Sequence, residues 1–174
     1  LTYDSRAVKP GDCFFAVPGT QSDGYDYIPS AVAKGAAAVV CERMPETAAE
    51  GVAYVVVEDS AGAMADMAAA FYGYPSRELK LVGITGTKGK TTTTHMIKTI
   101  LETAGKKTGM IGTNGVYIGE EHFPTVNTTP ESYDLHRYFA KMVEAGCECC
   151  VMEVSSQAMK MHRVAGIHFN YGLF

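Results

Sequence analysis

The residues best suited to chemistry in this sequence form a short glycine-rich segment near its middle. A strand-like run, residues 81–85, leads into the segment, and a helical stretch from about Thr92 to Ala104 follows it. The segment consists of Gly86, Thr87, Lys88, Gly89, Lys90, Thr91 and Thr92. Strand, glycine loop, Lys-Thr pair and helix is the order that a phosphate-binding loop requires. The sequence therefore predicts a nucleoside triphosphate site, with a plain glycine-rich turn as the alternative.

Each residue type in this segment has a physical role toward a phosphate. Glycines let successive backbone N–H groups turn inward, and the following helix adds its free N–H groups and positive dipole end. Lys90 would bring a positive charge to the β- and γ-phosphates, while the Thr91 hydroxyl would be a ligand of Mg²⁺. The spacing departs from the standard pattern, because Ile84 stands where the first glycine is expected.

A second candidate is Glu153, which follows the apolar run 150–152. Such a run predicts a buried strand, and ligands of open α/β sheets bind at the carboxyl ends of the strands. A carboxylate there, near Thr91, suits Mg²⁺ because this ion prefers hard oxygen ligands. The alternative is a surface glutamate at a strand end. Lys90 and Glu153 are the predicted catalytic residues, and Thr91 and Glu153 the predicted metal ligands.

Further polar residues lie in two stretches that flank this strand. The loop before Pro130 offers short hydrogen-bonding side chains from Asn127, Thr128 and Thr129. A helix capped by Thr129, with Pro130 at its first position, is the competing interpretation. Ser155 and Ser156 are candidate helix N-caps. Arg163 could hold a substrate carboxylate through its planar guanidinium fork, or it could be a surface arginine.

The elements that must position these residues alternate between strands and helices. Strand-like runs cover residues 12–17, 36–41, 53–57 and 79–85, and helical patterns cover residues 27–34 and 60–72. Alternation of this kind predicts an α/β fold with parallel or mixed sheets. A break at residues 73–76 divides the chain into two predicted domains. The first, 1–76, is a small α/β domain, and the second, 77–174, is the first part of a parallel-sheet domain of the phosphate-loop type.

Composition excludes several classes of protein. The 174 residues are 47% hydrophobic and carry a net charge of -4, which is typical of a soluble globular chain and unlike a basic nucleic-acid binder. Apolar runs are far shorter than the roughly 20 residues of a membrane span, and the first residues lack the charged and apolar pattern of a secretory leader, so neither a membrane span nor secretion is expected. The odd count of 5 cysteines suits a reducing cytoplasm. The cysteines at 147–150 are predicted to be buried small side chains and not zinc ligands, since no second ligand pair is present.

The loop Thr85-Gly86-Thr87-Lys88-Gly89-Lys90-Thr91-Thr92 resembles that of the Mur ligases and folylpolyglutamate synthetases. Three further stretches are similar to Mur ligases in particular: residues 4–6 with 10–12, residues 19–24, and residues 128–131 with 153–156. The last pair resembles the Mur ligases that add the third amino acid, not those that add D-Ala-D-Ala. Two positions depart from the family pattern, because Lys88 stands where Asn is common and Gln157 where His commonly follows the serine pair.

The resemblance implies roles for residues that physical reasoning leaves open. Asn127, Thr128, Thr129, Ser155 and Arg163 would contact a muramoyl-peptide substrate, UDP-N-acetylmuramoyl-L-alanyl-D-glutamate. Its uridine diphosphate end would be held in the first domain by Ser5, Thr20, Gln21 and Ser22. The nucleotide would be ATP, and its loop would be residues 86–92. Lys90 would act with Mg²⁺ and with the backbone N–H groups of the loop.

The implied reaction is ATP-driven amide formation through an acyl phosphate, which joins meso-diaminopimelate or L-lysine to the substrate. The enzyme would be a cytoplasmic monomer of peptidoglycan precursor synthesis. Family members have three domains, so the chain is expected to be an amino-terminal fragment that is inactive alone. A folylpolyglutamate-synthetase-like ligase and a phosphate-loop NTPase switch are the alternatives; the 76-residue leader disfavours the first.

Overall fold

The computed structural model describes residues 1–19 and 22–174, which form two compact units, Leu1–Met64 and Ala65–Phe174. The helix that contains the division, α2, spans Ser60–Phe71. The predicted break at residues 73–76 lies just beyond this helix, and a short 3-10 helix follows at Pro75–Arg77. Among the described residues, no helix is both long and apolar enough to span a bilayer.

The first unit is built on a three-stranded parallel sheet in the order β1-β2-β3. Its elements are β1 Cys13–Phe15, a 3-10 helix at Gly24–Tyr27, α1 Ile28–Ala33, β2 Ala38–Cys41 and β3 Ala53–Val56. Gly35 takes a φ of +92° directly after Lys34, the C-cap of α1, a left-handed conformation that favours glycine. Phe14, Val39 and Ile28 form the centre of the apolar core of this unit.

The second unit contains a six-stranded sheet in the order β7-β6-β5-β8-β4-β9. Its strands are β4 Lys80–Ile84, β5 Thr108–Gly112, β6 Gly115–Ile118, β7 Glu121–Phe123, β8 Cys149–Glu153 and β9 Tyr171–Leu173. Its helices are α3 Lys90–Thr103, α4 Ser132–Glu144 and α5 Ser156–Lys160. Strands β5, β8, β4 and β9 are parallel, as predicted. Strands β6 and β7 are antiparallel, so the sheet is mixed.

Helices cover both faces of this sheet. Successive side chains of β8 point to opposite faces and therefore pack against different helices. Cys150 and Met152 point into the core that contains Leu135 and Phe139 of α4. Val151 belongs to the opposite cluster, against which Ile97 of α3 packs. Because successive side chains of a strand point to opposite faces, Glu153 shares the α3 face with Val151. The predicted burial of Cys147, Cys149 and Cys150 is confirmed.

His136 is an unusual member of the α4 core. Its side chain is fully buried, and neither ring nitrogen has a hydrogen-bond partner within the described part of the chain. The ring packs edge-on against Phe139, with centroids 6.1 Å apart. Burial lowers the pKa of His136 from 6.5 to about 4, and the negative charge of Asp66 opposes this only in part. The ring is therefore neutral at physiological pH.

This histidine should make stability depend on pH. Its pKa is lower in the folded state, so the unfolded chain takes up the proton first. Stability is full above about pH 6.5 and falls as the pH drops toward 4. We expect His136→Leu to reduce this loss of unfolding free energy at low pH by up to about 3 kcal/mol. At pH 7.5 the substitution should be neutral or stabilising, because no hydrogen bond is lost. Urea unfolding of both chains at several pH values measures the difference; an equally steep fall in the variant would contradict the assignment.

Candidate functional site

The glycine-rich segment forms a loop between β4 and α3 in the second unit. Gly86 and Gly89 have φ values of +128° and +81°, a left-handed region that favours glycine. Gly89 is the N-cap of α3, and no side chain in the described residues caps this helix. Thr87, Lys88 and Thr92 are exposed. The N–H groups of the loop and of the first helical turn are thus accessible to an anion, as a phosphate-binding loop requires.

Lys90 is the first residue of α3, two positions earlier than the predicted start of the helix. Its ammonium Nζ donates a hydrogen bond to the carbonyl of Gly86 at 2.7 Å. The carbonyl of Lys90 accepts a hydrogen bond from the buried Thr94 hydroxyl at 2.7 Å, which fixes the first turn of the helix. The side chain of Lys90 therefore returns across the loop, where it can reach a phosphate bound by the loop.

Thr91 and Glu153, the two predicted metal ligands, are in direct contact. The Thr91 hydroxyl lies 3.0 Å from both carboxylate oxygens of Glu153. Glu153 ends β8, between β4 and β5, and only 2% of the residue is exposed. The predicted position at the carboxyl end of a central strand is confirmed. Within residues 1–19 and 22–174, no group of three His, Cys, Asp or Glu side chains is arranged to hold a metal ion.

Two residues that the sequence did not single out complete the surroundings of this carboxylate. Thr113 donates from its backbone N–H to Oε1 of Glu153 at 2.9 Å and from its hydroxyl to Oε2 at 3.3 Å. Gly112, the last residue of β5, leaves room for the carboxylate, because a Cβ there would overlap Oε1. In the sequence, the glycines at 112 and 115 flank a Thr-Asn pair directly after a strand-like run. This pattern is the sequence feature that could have pointed to Thr113 and Gly112.

The loop at 127–131 is tied to the end of β8 by Thr129. The Thr129 hydroxyl, 1% exposed as a residue, donates to the Glu153 carbonyl at 3.0 Å and accepts from the Ser155 N–H at 3.1 Å. It does not cap a helix, since α4 begins at Ser132 with Glu131 at the N-cap. Thr128 lies 3.1 Å from Thr113 between hydroxyl oxygens, and Asn127 beside it is half-buried. The structure thus brings this loop to the Glu153 end of the sheet.

Ser155 and Arg163 are also at this end of the sheet. Ser155 is the N-cap of α5, and its hydroxyl accepts from the Ala158 N–H at 3.1 Å, which confirms the predicted capping role. Arg163 is 8% exposed and is not a surface residue. Its guanidinium forms an ion pair with Glu131 at 2.8 Å and donates to the Thr129 carbonyl at 3.2 Å. Burial raises the pKa of Glu131, and the charge of Arg163 opposes the shift.

The residues predicted to meet the uridine diphosphate lie in the first unit. Ser5 is buried, and its carbonyl accepts from the Lys34 ammonium at 3.0 Å. Ser22 is exposed, and its carbonyl accepts from the Gly19 N–H at 2.9 Å. Thr20 and Gln21, between them, lie outside the described residues. This part of the prediction rests on the sequence.

The second unit therefore has the architecture of the phosphate-loop class of nucleotide-binding α/β proteins: a glycine loop joins a central parallel strand to a helix, and an acidic residue ends the neighbouring strand. Two protein-family models match the chain. "Mur ligase middle domain" matches residues 84–174, and "Mur ligase family, catalytic domain" matches residues 1–72. The chain belongs to the Mur ligase family.

Curated relatives are similar along the whole sequence. The chain is 50% identical over 174 residues to a UDP-N-acetylmuramoyl-L-alanyl-D-glutamate--2,6-diaminopimelate ligase of Geobacillus thermodenitrificans, covering 100% of this chain and 35% of that protein. It is 48% identical over 174 residues to the ligase 1 of the same description from Clostridium acetobutylicum, covering 100% of this chain and 36% of that protein. The chain thus spans about a third of the length of these relatives.

Solved structures share the fold. A structure of a UDP-N-acetylmuramoyl-L-alanyl-D-glutamate--2,6-diaminopimelate ligase superposes with a TM-score of 0.81 at 23% identity, over 98% of this chain and 34% of that one. The MurF ligase of Thermotoga maritima, solved in complex with ADP, gives a TM-score of 0.60 at 26% identity, over 89% of this chain and 31% of that one.

Proposed function

We propose that this chain is the nucleotide-binding and UDP-substrate-binding part of an ATP-dependent amide ligase. The ligase would add 2,6-diaminopimelate to UDP-N-acetylmuramoyl-L-alanyl-D-glutamate in peptidoglycan precursor synthesis. The observation that carries the proposal is the contact of Thr91, in the predicted phosphate-binding segment, with the buried carboxylate of Glu153. The amino acid and the acceptor are those in the names of the relatives; L-lysine is the alternative amino acid.

The residues around the loop suit ATP together with Mg²⁺. Thr91 and Glu153 offer hydroxyl and carboxylate oxygens within 3.0 Å of each other, and hard oxygen donors are what Mg²⁺ prefers. When bound, the ion would offset negative charge on the phosphates. The loop N–H groups would bind the phosphate oxygens, and the Lys90 ammonium would stabilise the charge that develops during transfer.

The chemistry requires that a weak acyl donor be activated. A carboxylate is unreactive toward amines because oxide is a poor leaving group. In the proposed reaction the D-glutamate γ-carboxylate attacks the γ-phosphorus of ATP, and ADP leaves with the electrons of the broken P–O bond. The amine of the incoming amino acid then attacks the acyl carbon, and phosphate leaves. The protein contributes mainly by positioning the two reactants and stabilising charge.

Each unit offers its own candidate residues for the acceptor. In the second unit, short donors and acceptors surround the end of β8, namely Asn127, Thr128, Thr129 and Ser155. In the first unit, Ser5 and the Thr20-Gln21-Ser22 loop would bind the uridine diphosphate end. Because ATP and nucleotide-linked precursors are cytoplasmic, we propose that the enzyme acts there, and as a monomer.

Phosphate release tests the proposal. In the full-length protein that contains this chain, phosphate should appear only when ATP, the muramoyl dipeptide substrate and diaminopimelate are all present. Mass spectrometry should detect the tripeptide product in equal amount. Steady ATP hydrolysis that ignores both the muramoyl substrate and the amine would instead favour an NTPase switch and contradict the ligase proposal.

Arg163 should control use of the muramoyl substrate and not of ATP. Lysine lacks the fork that holds Glu131 and the Thr129 carbonyl together, and it would not pair bidentately with a carboxylate. A lost charge-assisted hydrogen bond costs about 1.5–3 kcal/mol, so in Arg163→Lys we expect kcat/KM for the muramoyl substrate to fall roughly ten- to a hundredfold. The KM for ATP should stay nearly constant.

Glu131→Gln is the matched control for Arg163→Lys. It weakens the ion pair while leaving the guanidinium in place. A smaller loss in Glu131→Gln than in Arg163→Lys indicates that Arg163 contacts the substrate. Equal losses indicate that Arg163 acts by holding the 127–131 loop, and unchanged kinetics in both variants would remove Arg163 from the site.

A further inference from the structure

We propose that Thr113 is the positioning residue of the metal-binding carboxylate, and that Thr128 acts on this carboxylate through Thr113. The inference rests on the proposed function, because it concerns how Glu153 is held for Mg²⁺. It assigns a role to a residue outside the phosphate loop and outside the strand that bears the carboxylate. Three observations carry it: the contacts of Thr113, the rigidity of the turn that presents it, and the order of its hydrogen bonds.

The contacts of Thr113 differ in kind from those of Thr91. Thr91 stands beside the phosphate loop, and its oxygen would be shared between the carboxylate and a cation. Thr113 contacts the carboxylate with two separate donors, its N–H to Oε1 and its hydroxyl to Oε2. Thr91 reaches both oxygens with a single hydroxyl, whereas Thr113 offers each oxygen its own donor, which fixes the rotation of the carboxylate plane. A fixed carboxylate is a preorganised ligand.

The turn that presents Thr113 is fixed at both ends. Thr113 and Asn114 form the two-residue connection between β5 and β6, whose strands pair from Gly112 and Gly115 onward. The carbonyl of Asn114 accepts from the His122 ring at 2.7 Å and from the Tyr117 hydroxyl at 3.3 Å. These two rings stack with centroids 4.4 Å apart. The antiparallel hairpin therefore supports the position from which Thr113 reaches Glu153.

The hydrogen bonds of the two threonines have a single consistent direction. A hydroxyl has one proton, and Thr113 gives its proton to Oε2 of Glu153. Because the Thr113 oxygen lies 3.1 Å from the Thr128 oxygen, Thr128 must then be the donor between them. The chain of donation runs from Thr128 to Thr113 to Glu153. It links the 127–129 loop, where the muramoyl substrate is proposed to bind, with the carboxylate proposed to bind the metal.

Mn²⁺ binding in the presence of ADP measures this role without catalysis. Mn²⁺ is a paramagnetic probe for the Mg²⁺ position, and the loss of its free electron paramagnetic resonance signal reports binding to the full-length protein. The loss of one hydrogen bond to a charged group predicts roughly tenfold weaker Mn²⁺ binding in Thr113→Val. Thr113→Ser, which keeps the hydroxyl, should restore it. ADP affinity in excess chelator should be unchanged in both variants.

Thr108→Val is the matched control. Thr108 begins the same strand, β5, and its hydroxyl donates to the Lys106 carbonyl at 2.9 Å, far along the strand from the carboxylate. The same substitution there removes a hydrogen bond from β5 but none from Glu153. Thr108→Val should therefore bind Mn²⁺ as the parent protein does, even if its melting temperature is lower.

A double-variant cycle tests the part of Thr128. If Thr128 acts through Thr113, Thr128→Val weakens Mn²⁺ binding in the parent protein but adds nothing in the Thr113→Val background. Independent, additive losses would overturn the linkage. Parent-like Mn²⁺ affinity in Thr113→Val would overturn the positioning role alone. Absence of any ADP-dependent Mn²⁺ binding by the parent protein would overturn the proposed nucleotide–metal site and this inference together.

Discussion

Lys90→Ala is expected to reduce substrate-dependent phosphate release by the full-length protein at least a hundredfold, with the fold intact. The Lys90 ammonium crosses the loop to the Gly86 carbonyl at 2.7 Å, and it would bring a positive charge to the β- and γ-phosphates. Removing one electrostatic stabiliser of a transition state typically costs about 10²–10³ in kcat. A phosphate-release assay at saturating ATP measures the loss.

Lys98→Ala is the control for this prediction. Lys98 lies farther along the same helix, α3, and pairs with Glu102 at 2.7 Å, so its removal changes the net charge equally but leaves the loop intact. Turnover should stay near the parent level in Lys98→Ala. If Lys90→Ala also turns over like the parent protein, the loop does not serve phosphate transfer.

Gly112→Ala is the second change with a large expected effect. The added Cβ would overlap Oε1 of Glu153, and the buried carboxylate would have to rotate away from Thr91 and Thr113. Three donors contact this carboxylate, and losing even two of these hydrogen bonds, at about 1.5–3 kcal/mol each, predicts at least about a hundredfold loss of phosphate release. Overpacking should also lower the free energy of unfolding by about 1–3 kcal/mol.

Gly109→Ala separates the two effects. Gly109 lies on the same strand, and a Cβ there would press on the flexible side chain of Met142, away from the carboxylate. It should lose stability but retain most of its turnover at a temperature where both variants are folded. If Gly109→Ala and Gly112→Ala lose activity in proportion to their stability, the loss in Gly112→Ala reflects folding and not the position of Glu153.

The sequence predicts the parts of the site that depend on local pattern. The phosphate loop follows from a strand, glycines and a Lys-Thr pair that are adjacent in the chain. Glu153 follows from an apolar run that ends in an acid, and its strand-end position is confirmed. The parallel strands of the second unit likewise follow from alternating runs. Predicting these features does not require knowing which strands are neighbours in the sheet.

The remaining parts depend on long-range packing. Thr113 reaches Glu153 because β5 and β8 are adjacent in the sheet. The sequence of either strand alone does not predict which strands become neighbours. Arg163 pairs with Glu131 across 32 residues of chain (163 minus 131), so its burial could not be distinguished from exposure in advance. Thr129 was open to interpretation as a helix cap, and tertiary contacts with Glu153 and Ser155 determine its actual role.

The two-residue connection between β5 and β6 limits where residues can be inserted into this chain. One extra residue beside Thr113 would move its hydroxyl away from Glu153, or would shift the pairing of β6 and turn its buried face outward. The turn after β6, at Gly119 and Glu120, is exposed and lies at the other end of β6 from Thr113. Insertions and fluorescent or affinity tags should therefore be tolerated at 119–120 and harmful at 113–114, although only a few residues separate the two turns.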